Sequence, residues 1–379
     1  MKRMRILIVT RQRSLDATLG TTTAFHHLIP AWEALGHEVT VWANDKGRPE
    51  TAWRAALPSR LQAVADQFDV VEVPEQALTD TRADYPAACL LVERRQLWTT
   101  AARATRAPAA FPNLLERLRR RVRRVVRPAR GPEAAPLTPE AESCADLILV
   151  LNHQDARELI QQGRAPSTVT VQPYAVPSTD AARFAQLQPQ RSARRVVFVG
   201  TFDFRKGAVD LVTLFRHLDA RVPEVRLRLV GARGMWRSAW RVRSVFPLRL
   251  QRRLEVVMRF DRVDLPHLLE AGSVGVFPSY WEGFGMGALE MMAAGLPTAA
   301  YAVPGPQDFV PAEGLHAPGE VAALADTLTR WLTCEDSWSA ARAQARSAAQ
   351  GFSWSQIARA TVDVYAAQLA VKRSASIAS

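Results

Sequence analysis

The strongest constraint on the fold is a repeated succession of apolar runs of strand length, each followed by a helical pattern. The first run is Arg5–Thr10, and a helical pattern over Thr22–Leu35 follows it. Gly36 stands where a helix commonly ends, and the next apolar run is Val39–Trp42. Strands that are apolar on both faces are typical of a parallel sheet covered by helices on both sides. The order strand, helix, glycine, strand therefore predicts a βαβ unit.

The same pattern continues along the chain in two series. The further candidate strands are Asp69–Val73, Asp146–Leu151, Arg195–Gly200, Val225–Gly231 and Ser273–Pro278. A polar stretch, Pro177–Arg195, separates the two series, and 379 residues exceed what one hydrophobic core usually supports. We therefore expect a doubly wound α/β protein with domains at 1–178 and 190–352. A last helix at 353–379 would close the structure or pack back on the first domain.

Composition and charge narrow the classes of protein. The composition, with 48% hydrophobic and 23% charged residues, is typical of a packed soluble protein. It excludes disordered, collagen-like and coiled-coil proteins. The apolar part of the amino terminus, Ile6–Val9, is too short for a signal peptide, and no window approaches a membrane span. A cytoplasmic protein is expected, with a peripheral position on a membrane left open. The 49 Lys and Arg against 37 Asp and Glu give a net charge of +12, which attracts polyanions.

The densest functional signal is the segment Pro278–Glu290. Three glycines alternate with apolar residues directly after a strand, and a helix is expected to begin near Gly287. Backbone N–H groups at such a turn can hold a diphosphate. Two carboxylates, Glu282 in the turn and Glu290 in the first helical turn, suit a ligand rich in hydroxyl groups. The alternative is that Glu282 is solvated and that Glu290 only interacts with the helix dipole.

A second signal is the turn Gly200–Gly207, which places Arg205 and Lys206 after a strand of the second series. Ligands of open α/β sheets bind outside the carboxyl ends of the strands. A lysine there acts on phosphate oxygens as a point charge, and an arginine binds them as a fork. A solvated basic turn is the alternative.

Together, Glu-x7-Glu after a strand and the upstream Arg-Lys-Gly turn resemble the retaining glycosyltransferases of the GT-B fold, family 4, also called glycosyl transferases group 1. The similarity runs from about Glu140 to Val310, and the Arg-Lys-Gly turn is closest to the lipopolysaccharide-core glucosyltransferases. The resemblance implies two Rossmann-like domains facing a central cleft. It also implies transfer of a sugar from a nucleotide-sugar donor to a glycan or lipid-linked acceptor, in cell-surface polysaccharide or glycolipid synthesis.

The resemblance assigns roles to residues. Glu282 would bind hydroxyls of the donor sugar, and Arg205 and Lys206 would stabilise the leaving diphosphate, so these three form the catalytic set. The donor-binding set implied by the resemblance is Glu290 for the ribose, the backbone of Phe284, Gly285, Met286 and Gly287, and the glycines Gly200 and Gly20. No metal and no cofactor are implied, and the chain has no Asp-x-Asp sequence.

Two basic stretches remain. Arg117–Arg130 holds eight arginines with apolar residues at helical spacing, which fits a solvated helix face or docking on an anionic membrane. Nucleic acid is not expected as a partner, because no recognised binding module accompanies the charge. The second stretch, Arg233–Arg253, lines the nucleotide pocket, covers the cleft or is an ordinary pair of surface helices.

Rival functions stay open beside glycosyl transfer. One is a non-catalytic GT-B-fold protein that binds a membrane or polyanion, and another is a sugar-nucleotide epimerase of the same fold. The family pattern differs at Thr201 and Phe202, where Arg-Leu is common, and at Leu19, where a glycine pair is reduced to one. The reduced glycine pair favours the non-catalytic alternative, together with the lack of an alignable histidine in the first domain. The intact Glu282, Glu290 and Arg205–Lys206 favour the enzyme.

Overall fold

The computed structural model describes residues 3–15, 20–44, 47, 49–78, 81–96, 107 and 143–378. The twelve strands in chain order are β1 Arg5–Val9, β2 Glu38–Trp42, β3 Val70–Pro74, β4 Leu90–Arg94, β5 Leu147–Val150, β6 Val169–Val171, β7 Arg195–Val199, β8 Arg226–Val230, β9 Leu254–Val257, β10 Val274–Phe277, β11 Thr298–Tyr301 and β12 Leu315–His316. The basic run 117–130 and its predicted amphipathic helix lie outside the described residues.

Helices connect most of these strands within the described residues. In chain order they are α1 Gly20–Ala34, α2 Glu50–Ala55, α3 Leu57–Gln62, α4 His153–Gln161, α5 Ser178–Gln186, α6 Ala208–Asp219, α7 Ala239–Arg243, α8 Leu248–Gln251, α9 Leu265–Glu270, α10 Met286–Ala293, α11 Val321–Thr333, α12 Glu335–Gln350 and α13 Trp354–Ala378. Short 3₁₀ turns occur at Arg82–Asp84, Pro166–Thr168, Arg191–Ala193, Arg262–Asp264, Pro306–Asp308 and Ala312–Gly314. Within the described ranges, none of these helices is long and apolar enough to span a bilayer.

The first unit contains the described residues up to 96, residues 143–174 and residues 353–378. Its sheet has the order β2-β1-β3-β4-β5-β6, and every pair is parallel. Helix α13 packs along α1 in this unit, where the Trp32 indole donates to the carbonyl of Ala358 at 3.1 Å. The apolar β1 side chains are almost fully buried, as its uninterrupted run predicts.

A buried polar network occupies the middle of the first unit. The Arg94 guanidinium pairs with the Glu72 carboxylate and also bonds the amide of Gln172. Tyr365, on α13, donates to the other Glu72 oxygen at 2.7 Å. Strand β4 was absent from the sequence prediction because it ends in Glu93 and Arg94, charged residues that are buried only because other charges compensate them.

The second unit contains residues 175–352, and its sheet has the order β12-β11-β10-β7-β8-β9, again fully parallel. Strands β7, β10 and β11 are buried along almost their whole length, which fits a central position between two helical layers. The doubly wound class and the Rossmann-like sheet in each half of the chain are thereby confirmed. The short strands β9 and β12 were not predicted, since neither has a continuous apolar run.

Candidate functional site

Two loops of the second unit leave neighbouring strands at the same edge of the sheet. Strand β7 is followed by the turn Gly200–Gly207, and β10 is followed by the segment Pro278–Gly285. Because β7 and β10 are adjacent and parallel, both loops start at the carboxyl ends of their strands. This is the position at which open α/β sheets bind ligands.

Backbone contacts join the two loops. The Tyr280 N–H donates to the carbonyl of Arg205 at 2.8 Å, and the Arg205 guanidinium donates to the carbonyl of Trp281 at 2.8 Å. Gly207 lies so close to the second loop that an added Cβ would sit 2.1 Å from the Pro278 carbonyl oxygen, and its φ of +77° is left-handed. Only glycine meets both conditions, so this residue permits the close approach of the loops.

The joined loops place three charged side chains together. The Lys206 ammonium donates to Glu282 Oε1, and the Arg205 guanidinium lies 3.5 Å from the same oxygen. Ser279 also donates to this carboxylate. Glu282 is 7% exposed, whereas 37% of the Arg205 side chain is open to solvent. Glu282 is therefore a buried and paired carboxylate, and the alternative of a solvated one is wrong.

Further residues around this cluster support it, and no sequence motif indicates them. The buried Asp210, in the first turn of α6, accepts hydrogen bonds from Tyr280 at 2.6 Å and Tyr301 at 2.7 Å. Burial raises the pKa of Asp210, and the two tyrosine hydroxyls act against that shift. Asp203 accepts from the Lys206 N–H at 3.0 Å, which shapes the basic turn.

Helix α10 begins directly after the second loop, at Met286, which confirms the predicted start near Gly287. Gly285 precedes it with a φ of +98°, and a Cβ on Gly287 would lie 2.4 Å from the Val199 carbonyl oxygen. The first N–H groups of a helix have no partner within it, so they are available to an anion. The Phe284 ring is buried against Phe309, at 5.1 Å between centroids, which leaves only the backbone of Phe284 for a ligand.

Glu290 lies in the second turn of α10, one turn later than predicted, and it is 3% exposed. Arg262 donates to its carboxylate at 2.7 Å and lies 3.3 Å from Asp180. Burial raises the pKa of Glu290, while Arg262 and, more weakly, Lys206 lower it. The Lys206 charge therefore influences both predicted carboxylates. Arg262 had no motif signal, because it belongs to a 3₁₀ turn 28 residues earlier in the chain.

The remaining predicted positions are glycines. Gly200 directly follows β7 with a φ of +151°, and its N–H donates to the Val230 carbonyl at 2.9 Å. Gly20 is the first residue of α1 in the first unit. The site in the second unit thus contains every predicted residue except Gly20.

The first unit has a cavity of its own, at the carboxyl ends of β1, β3 and β4, with a volume of about 340 Å³. Its wall combines polar and apolar groups: Val9, Thr10, Arg11, Gln12, Phe25, Glu50, Pro74, Glu75, Arg94 and Gln96. One buried Arg94 nitrogen, Nη2, has no hydrogen-bond partner in the described structure. Among the described residues, no group of His, Cys, Asp or Glu side chains is arranged to hold a metal ion.

Comparison with known proteins connects this architecture to a class. A solved structure of sucrose-phosphate synthase from Thermosynechococcus elongatus superposes with a TM-score of 0.68 at 20% identity, covering 97% of this chain and 100% of the other. The Anabaena protein HepE, solved in complex with UDP and glucose, gives a TM-score of 0.60 at 18% identity, with 96% and 100% covered. With its two parallel six-stranded sheets, the protein has the GT-B fold.

The second unit is identified more closely by sequence. Residues 180–350 match the family model described as Glycosyl transferases group 1, so this unit carries that domain. The chain is 32% identical over 203 residues to glycogen synthase of Mycobacterium tuberculosis. The matched segment covers 51% of this chain and 47% of the relative. The chain spans about half the length of the curated relatives it matches.

Proposed function

We propose that this protein is a retaining, metal-independent glycosyltransferase of family 4 that uses a nucleotide-sugar donor, with UDP as the nucleotide. The observation that carries the proposal is the cluster of Arg205, Lys206 and Glu282 beside the amino terminus of α10. The group 1 domain over the same residues supports it, as does the fold shared with a protein that binds UDP and glucose.

The chemistry of transfer requires stabilisation of the departing diphosphate. As the bond between the sugar and phosphate breaks, negative charge grows on the phosphate oxygens. Arg205 and Lys206 are held in advance by the two joined loops, so they need little reorganisation when that charge develops. Two fixed cations and the N–H groups of α10 supply this stabilisation without a metal ion.

The two carboxylates have separate tasks in this proposal. Glu282 accepts hydroxyl hydrogen bonds from the donor sugar while the Lys206 ammonium, which donates to one of its oxygens, holds it in orientation. Glu290 accepts the ribose hydroxyls, and the Arg262 guanidinium donates to the same carboxylate. A ribose therefore has to share or replace the Arg262 contact, which makes Arg262 a part of the donor site.

The acceptor in this proposal is a glycan or lipid-linked glycan of cell-surface polysaccharide or glycolipid synthesis, bound by the cavity of the first unit. Support comes from the cavity wall, where Thr10, Gln12 and Gln96 provide polar groups and Phe25 provides an apolar face. Such a mixture suits the hydroxyl groups and C–H faces of a sugar. The proposed place of action is the cytoplasm, at the inner face of the membrane that carries the acceptor.

The test begins with calorimetric titration of UDP and UDP-sugars into the protein in excess EDTA. We expect binding without metal, and transfer or slow donor hydrolysis with retention of anomeric configuration by NMR. Lys206→Met and Glu282→Gln should each lower the rate by about 10²- to 10³-fold with an unchanged circular dichroism spectrum. Arg226→Met, at the exposed first residue of β8, is the charge-matched control.

Three results would count against the proposal. A dependence of activity on added metal would contradict the proposed metal independence. Inversion of the anomeric centre would contradict the proposed retaining mechanism. Donor binding with no turnover on any acceptor would instead favour a non-catalytic protein of the same fold.

A further inference from the structure

A basic and aromatic patch lies on the second unit, away from the residues of the proposed chemistry in sequence. It consists of Arg237, Trp240, Arg241, Leu248 and Arg252, all exposed. Trp240 is 65% exposed and Leu248 is 84% exposed, which makes them two of the five large apolar side chains most open to solvent among the described residues. It is unusual for two large apolar side chains this exposed to stand among arginines.

The patch is built on a rigid support. Helices α7 and α8 follow each other across a four-residue connection. Val242 on α7, Phe246 in the connection and Leu250 on α8 are buried in the core of the second unit. The centroid of the Phe246 ring lies 5.9 Å from that of Phe202, and the two rings are tilted by 35°. Burial of one side orients the opposite side outward, so the exposed residues are held in place by the core beneath them.

The charge of the patch is not neutralised. Residues 233–253 contain seven arginines and no aspartate or glutamate. Asp219 pairs with Arg249 and Arg253. The other five make no ion pair within the described chain, namely Arg233, Arg237, Arg241, Arg243 and Arg252.

We infer that this patch docks the protein on an anionic lipid bilayer. The arginines match the negative headgroup surface, and Trp240 and Leu248 enter the region between headgroups and acyl chains. Tryptophan favours that interface because one end of its ring system is apolar and the other carries an N–H donor. Docking through this patch is independent of sugar transfer and of the basic run 117–130.

The experiment is co-flotation of the full chain with vesicles of phosphatidylcholine alone or with 30% phosphatidylglycerol. We expect partition onto the anionic vesicles only, weakened by high salt. The triple variant Arg237→Gln, Arg241→Gln, Arg252→Gln should bind about a hundredfold more weakly, since each basic residue near such a surface contributes about 1 kcal/mol. The double variant Trp240→Ala, Leu248→Ala should bind the anionic vesicles more weakly than the parent, at low and at high salt.

Matched controls separate this patch from general charge. The triple variant Arg216→Gln, Arg226→Gln, Arg359→Gln removes three exposed arginines elsewhere, and Val263→Ala, Val371→Ala removes two exposed apolar side chains. These variants should partition like the parent. The inference is overturned if the patch variants also partition like the parent, or if the parent partitions equally onto neutral and anionic vesicles. It is also overturned if the patch binds nucleic acid and does not bind anionic vesicles. UDP binding, measured separately, should be the same in all variants.

Discussion

Gly207→Ala tests whether the approach of the two loops creates the site. The substitution adds one methyl group to a residue with a φ of +77°, at a point where the Cβ would lie 2.1 Å from the Pro278 carbonyl oxygen. The position of the Cβ is fixed by the backbone of residue 207, and the atom it meets is a backbone oxygen, so no side-chain rotation can relieve the clash. The loops have to separate, and the contact between the Tyr280 N–H and the Arg205 carbonyl should lengthen or break.

The magnitude follows from two contributions. A left-handed conformation costs a residue with a Cβ about 1–2 kcal/mol. Overpacking against a fixed neighbour adds about 1–3 kcal/mol. The expected loss in the free energy of unfolding is therefore about 2–5 kcal/mol. Gly36→Ala is the matched control, because Gly36 has a φ of +87° and no atom within 4 Å of an added Cβ.

The assay combines urea unfolding, followed by tryptophan fluorescence, with calorimetric titration of UDP. Gly36→Ala should lose about 1–2 kcal/mol and bind UDP like the parent. Gly207→Ala should lose more stability and should also lose affinity, since Arg205 and Lys206 move with their loop. Equal stability losses in the two variants, or unchanged UDP affinity in Gly207→Ala, would refute the reasoning.

Three other predictions concern buried polar groups. Because the folded-state pKa of Asp210 is raised, its contribution favours the folded state at low pH and is lost as pH rises above 3.8; the stability of Asp210→Asn relative to the parent should therefore increase with pH in urea titrations. Arg262→Gln leaves the buried Glu290 without its cation and should cost about 1–3 kcal/mol, less than for a fully buried pair because 38% of the Arg262 side chain is exposed. Tyr365→Phe removes the hydrogen bond to Glu72 and should cost about 1.5–3 kcal/mol in urea unfolding.

Controls of the same type make these measurements specific. Asp264→Asn and Arg259→Gln change exposed groups without an ion pair in the described structure, so both should leave stability and its pH dependence unchanged. If Asp210→Asn follows the parent at every pH, the pKa of Asp210 is not raised in the folded state. An Arg262→Gln protein as stable as the Arg259→Gln protein would show that Glu290 does not need this cation.

Arg262 also distinguishes the proposed donor site from a sequence motif that contains only two carboxylates. Its guanidinium satisfies Glu290 and contacts Asp180, so the carboxylate assigned to the ribose is already paired before a ligand arrives. Ligand affinity then reflects the difference between the ribose contacts and the arginine contact, rather than the strength of the ribose contacts alone.

Much of this protein was determined by local sequence. The apolar runs at Arg5–Thr10, Arg195–Gly200 and Ser273–Pro278 predicted strands of parallel sheets, because a strand buried on both faces has to be apolar throughout. The order of strands and helices then predicted the doubly wound class. The Arg-Lys-Gly turn and the Glu-x7-Glu segment indicated the main site residues, because their spacing relative to strands is local.

Tertiary structure alone decided which groups meet. Arg94 of strand β4 can be buried because two residues distant in sequence receive its guanidinium. Glu72 compensates the positive charge, and the Gln172 amide oxygen accepts a hydrogen bond. Asp210 and Arg262 support the site through partners 28 to 91 residues away, so no sequence motif contains them. A sequence pattern reports the residues that neighbour one another along a strand or helix. The pairing of buried charges depends instead on which strands become neighbours, and that is settled only when the sheet forms.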